Sequence, residues 1–158
     1  MLTDLLTALQ GSDLAVALRK SFWVYPLVNA GHIFGLAMIF GAILPLDLRM
    51  LGLWRDIDWR RLARVLVPVA IAGVIVSLAT GLALFSARPL DYAFKPLFQV
   101  KLAILAIGIA NALLLRRAAA WRQAPRTGSV PLRLSAAALV SILAWMAVIL
   151  CGRLVGYY

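Results

Sequence analysis

His32 is the single histidine of the chain, and it stands inside the apolar run Pro26–Arg49, PLVNAGHIFGLAMIFGAILPLDLR. An imidazole among hydrocarbon answers one of three needs: a hydrogen bond to a backbone or hydroxyl group, ligation of a metal or haem iron, or relay of a proton. Asn29 and Gly35 fall three residues to either side, on the same helical face. That face offers an amide to orient the ring and a gap one turn deeper where a flat ligand would lie. Lys101 and Arg153 are cations at about the level two turns above His32, counting in helical rise toward the nearer surface. They would neutralise the carboxylates of an anionic cofactor held by His32, or simply snorkel to the headgroups. Ser77 and Thr80 add hydroxyls at the same end, completing a candidate pocket of His32, Lys101, Arg153, Asn29, Gly35, Ser77 and Thr80.

Other chemistry is poorly supplied. Copper would need soft ligands from His32, Cys151, Met38, Met50 and Met146, which fall at different depths with no Met-x-x-Met or Cys-x-x-Cys spacing. Hydrolase triads, phosphate-binding glycine loops and zinc spacings are absent from the sequence.

The elements that must position these groups are helices in a membrane. Of the 158 residues, 64% are hydrophobic and only 14% charged, which excludes an ordinary soluble domain. Phe22–Leu46, Leu66–Phe85, Leu97–Leu115 and Leu134–Cys151 each have the length and apolarity to span a bilayer, and none alternates with the period of a strand. The expected fold is all-α: a polytopic four-helix bundle over residues 21–158, preceded by an amphipathic interfacial segment, 1–20. In that segment Leu2, Leu5, Leu6, Leu9, Leu14 and Leu18 mark an apolar face, and Gly11-Ser12-Asp13 divides it into two short helices with Ser12 or Asp13 as cap.

A formal charge of +10 would suggest nucleic acid in a soluble chain. Here 10 of the 16 basic residues lie in the two loops joining spans one to two and three to four. The positive-inside rule therefore places those loops in the cytoplasm and both termini outside; the expected location is a bacterial inner membrane with both termini periplasmic. Trp54, Trp59 and Trp121 belong to the inner loops, and Trp23, Tyr25, Tyr92, Tyr157 and Tyr158 to the outer boundary. No nucleic-acid partner is expected; the partners are lipid and, through small-residue packing, a homo-oligomer or larger membrane complex.

Small residues recur every four positions: Gly31 and Gly35, then Gly73, Ser77 and Gly81, then Gly108 and Ala112, then Ala137 and Ser141. They let helix backbones approach closely in lipid, so spans one and two should pack tightly. Pro89 and Pro96 in the outer loop should stop the flanking helices. Gln123–Ser129 reads as a flexible, solvated connector. Asp47, beside Arg49 at the inner end of span one, should pair with an arginine such as Arg64.

The run from His32 through LDLRMLG (Leu46–Gly52), the segment FKPLFQVKLAILAIGIAN (Phe94–Asn111) and the closing Gly152-Arg153 resemble an uncharacterised family of small bacterial inner-membrane proteins. More distantly, they are similar to the CopD and HemJ type of membrane domain. The HemJ-like branch implies a b-type haem accompanied by a first-span histidine and a third-span lysine, positions taken here by His32 and Lys101. The CopD-like branch implies copper uptake. The chain departs from a bis-histidine cytochrome, having no second histidine. The expectation is a haem-b-binding or redox-linked membrane subunit, with His32 as metal ligand and electron transfer more plausible than bond-making catalysis. The alternatives are a non-enzymatic accessory subunit and a copper or small-ion transport protein.

Overall fold

A computed structural model describes residues 1–157, the side chains of 119 and 120 excepted; Tyr158, assigned above to the outer boundary, lies outside the described residues. The chain folds as α1 (Leu2–Gln10), α2 (Asp13–Lys20), α3 (Val24–Met50), α4 (Trp59–Ala87), α5 (Pro89–Ala93), α6 (Pro96–Arg117), α7 (Ala119–Gln123) and α8 (Leu132–Leu154). Among them α3, α4, α6 and α8 are long and apolar enough to cross a membrane. The protein is an all-α, multi-pass membrane bundle.

Each long helix outruns its apolar stretch, because helical hydrogen bonding continues into the headgroup zone where polar side chains are solvated. The exception is the start of α3: Phe22 and Trp23 form a turn, and the helix begins at Val24. Outward-facing residues are the greasy ones, as in Leu27, Phe34, Ile75, Leu82, Leu114 and Leu143. This is the arrangement that lipid as solvent selects.

The four long helices associate as two pairs. α3 and α4 pack along most of their length, α6 packs on α8, and a seam between α3 and α8 joins the pairs. Among the described residues, α4 and α6 make no close backbone approach, although Phe85 of α4 and Phe98 of α6 stack on one another. Glycine sets the α3–α4 crossing. A Cβ on Gly35 would sit 2.5 Å from Ser77 Oγ and 2.9 Å from its backbone nitrogen; one on Gly73 would sit 2.8 Å from the Gly35 carbonyl oxygen. Gly108 serves the second pair, where Ala144 and Trp145 of α8 face it.

A dense apolar core fills only one end, where Leu46, Met50, Trp59, Ala63, Ala124, Leu134 and Ala138 cluster. Most arginines surround this end. The termini share the opposite end: Leu18 and Val155 border one cavity there, and Lys95 Nζ donates to the Val155 carbonyl at 3.2 Å. Ser12 caps α2, accepting from Ala15 N at 3.3 Å. The apolar face is split: Leu6 and Leu18 are buried, while Leu2, Leu5, Leu9 and Leu14 are exposed.

Several loop expectations are corrected. α4 does end at Ala87, just before Pro89, but Pro89 and Pro96 also open α5 and α6, since a first-turn N–H has no helical partner to lose. Residues 123–129 do not form a loose connector. Trp59 Nε1 donates to Pro125 O at 2.7 Å, Trp59 N to Arg126 O, and Gly128 N to Arg55 O at 2.7 Å. Trp59 and Trp121 are core rather than interfacial belt, meeting edge to face at 4.6 Å; Trp59 is 0% exposed. Arg49 is also fully buried; its Nε donates to Ile57 O at 2.8 Å and its Nη2 to Arg55 O at 3.0 Å and Gly128 O at 3.1 Å, while Nη1 is buried with no partner. Among the described residues neither Arg49 nor Arg64 pairs with Asp47. Asp47 is buried against Ser141 instead.

Candidate functional site

The half of the bundle away from the packed core encloses a cavity of about 1200 Å³. Its walls come from α3, α4, α6 and α8, and α2 and α5 contribute to its rim. It is open on one side and larger than the ~300–1,000 Å³ typical of small-molecule pockets. Tyr25, Phe40, Phe85, Tyr92 and Phe98 give it an aromatic surface, with Phe85 and Phe98 stacked at 5.4 Å.

His32 reaches the cavity from the α3–α4 seam. Gly81 makes room for the ring, because a Cβ there would stand 3.1 Å from Cε1. The Nδ1 edge lies 3.0 Å from the Ser77 carbonyl oxygen and 3.1 Å from Thr80 Oγ1. A carbonyl only accepts, and the Thr80 hydroxyl already donates to Val76 O at 2.6 Å. These partners assign the neutral ring its proton on Nδ1 and leave Nε2 as the free nitrogen on a ring that lines the cavity.

The structure divides the sequence-derived set into two groups. His32, Asn29, Lys101 and Arg153 line the one cavity. Ser77 and Thr80 stand behind the imidazole and hold it, while Gly35 faces Ser77 in the helix crossing and opens no gap for a ligand. Lys101 lies beside Gly152, where a Cβ would meet Nζ at 3.3 Å. Arg153 is exposed and donates to Tyr157 Oη at 2.6 Å, its guanidinium also lying 4.9 Å over that ring.

Two more cations belong to the lining. Arg19 bridges α2 to the end of α4, Nη1 to Ala87 O at 2.8 Å and Nη2 to Gln10 O at 2.7 Å, and Arg88 lies at the α4–α5 junction. No carboxylate is among the lining residues, so the wall is positive and suited to an anion. Among the described residues, no three His, Cys, Asp or Glu side chains gather as they would to hold a bare metal ion. Sequence reasoning missed Arg19, Arg88 and the aromatic wall. Only the basic ends of the amphipathic segment and of span two signalled them.

No family model, curated protein or solved structure matches the chain.

Proposed function

We propose that this membrane protein binds haem b and serves a redox-linked role, with His32 Nε2 as axial ligand. The observation that carries the reading is the imidazole. Its Nδ1–H is fixed by a backbone carbonyl, the outer-sphere bond that orients ligating histidines, and its other nitrogen is unclaimed on a cavity wall. The remaining donors fit the same group: aromatic walls for the ring, and Lys101, Arg153 and Arg88 for its carboxylates. Asn29 adds a polar group near His32, and Ser77 and Thr80 hold the ligating ring in place. The resemblance of His32 and Lys101 to the haem-associated pair of the HemJ type points the same way. Bound haem supplies an iron that takes up and returns one electron; the protein supplies ligand, counter-charge and a low-dielectric wall.

Absorption spectroscopy and metal analysis of protein purified in mild detergent, before and after haem addition, test this. Wild type should give a Soret band that His32→Ala abolishes, while Asn29→Ala retains it. Protein that stays colourless with added haem, or a His32→Ala spectrum unchanged from wild type, refutes axial ligation. The sparsely buried α6, with Gly108 its sole buried residue among those described, supports a second reading, an accessory subunit covered by another membrane protein. Colourless protein co-purifying with a larger complex would favour it. Copper passage has less support, since His32 and Cys151 gather no third ligand of their kind.

A further inference from the structure

A second cavity, of about 840 Å³, opens at the arginine-rich end of the bundle between α4 and the end of α6, with α7 beside it. It plays no part in the haem reading. Its polar mouth carries Arg60, Arg64, Arg116, Arg122 and Arg126 against one carboxylate, Asp58. That carboxylate is already used: it caps α4 by accepting from Arg60 N at 2.9 Å and Arg61 N at 3.3 Å, and it pairs with Arg61 at 3.6 Å. The only other ion pair among the described residues is Met1 with Asp4. The pocket arginines therefore converge without matching negative charge. Arg60 is committed to the carbonyls of Trp121, Arg122 and Ala124, which fixes the wall, yet its Nε is buried with no partner.

Above this mouth the lining changes character. Ala63, Val67, Pro68 and Ile71 run up α4 into the membrane-spanning stretch, on the side where the backbones of α4 and α6 do not come close. Guanidinium groups at the headgroup level, continuous with an apolar strip at chain level, match one kind of molecule: an amphiphile with an anionic head.

We infer that this cleft is a binding site for one anionic phospholipid of the adjoining leaflet, its phosphate held by Arg64, Arg116 and Arg122 and an acyl chain lying along Val67, Pro68 and Ile71. A soluble phosphate would use the mouth but not the strip.

Native mass spectrometry of the full-length protein in detergent, titrated with phosphatidylglycerol or phosphatidylcholine of equal chain length, tests the site. One phosphatidylglycerol should bind at least about tenfold more tightly than phosphatidylcholine, and Arg64→Gln with Arg116→Gln should erase most of that preference. The equal-charge control Arg55→Gln with Arg133→Gln should keep it. Inorganic phosphate in excess should leave the lipid bound. Equal affinity for the two lipids, equal loss in both double variants, or displacement by inorganic phosphate would each overturn the assignment. The wild-type lipid comparison stands even if a variant folds poorly.

Discussion

Replacing Gly73 with alanine probes the close backbone approach between α3 and α4. The added methyl would stand 2.8 Å from the Gly35 carbonyl oxygen and 2.9 Å from both Ile39 N and Met38 Cβ. Two of these three are backbone atoms, so no side-chain rotation relieves the clash. Restoring ordinary contact requires α3 and α4 to separate locally by about 0.6 Å, a gap that forfeits roughly a quarter or more of each dispersion contact along the seam. Overpacking of this kind costs about 1–3 kcal/mol. Gly41 provides the comparison, because nothing lies within 4 Å of its hypothetical Cβ. There alanine gains helix propensity of up to ~1 kcal/mol. Reversible unfolding in mixed micelles, followed by circular dichroism against the mole fraction of denaturing detergent, should separate the two variants by about 2 kcal/mol or more. A Gly73→Ala protein as stable as Gly41→Ala would refute the close crossing. The same variant should disturb His32, whose acceptors Ser77 and Thr80 sit on the displaced helix.

Arg49 and Asp58 give two further tests. Arg49→Ala orphans three carbonyl bonds and should destabilise the protein by at least ~3 kcal/mol in the same unfolding assay, with Arg49→Lys recovering little because an ammonium cannot fork across separated acceptors. Desolvation at the start of α4 raises the Asp58 pKa, but the backbone N–H groups of Arg60 and Arg61, with the charges of Arg126 and Arg61, outweigh it and hold the carboxyl below its usual value. A depressed folded-state value means its contribution is complete above the unfolded value near 4 and drains away as pH falls through the folded one. Asp58→Asn, still a competent cap, should flatten the acid limb of the stability profile below about pH 4; an unchanged limb would refute the role.

The helical class and the four spans were legible because apolar length is a direct consequence of bilayer thickness, and the tight α3–α4 contact because glycines at four-residue spacing share a face. His32, Asn29, Lys101 and Arg153 could be placed in one half of the bundle by counting helical rise, the two cations about two turns beyond the imidazole. Azimuth was harder. Gly35 shares the histidine's helix yet turns to α4, and only the neighbour's position tells a void from a contact. The loops were least readable. Arg49 donates from Nε and Nη2 to carbonyls of residues 55, 57 and 128, partners whose approach depends on chain paths that no local pattern encodes. Tryptophan misled for a related reason: its type favours the interface, but Trp59 has a carbonyl waiting at Pro125, so its N–H needs no water.

The backbones of the two helix pairs meet along α3 and α8, whereas α4 and α6 are joined by side chains alone, Phe85 on Phe98 at the cavity end and Leu115 against the Trp59 core at the other. Substitutions on that side should therefore be absorbed by rotamer changes more readily than those in the α3–α4 crossing, where backbone meets backbone.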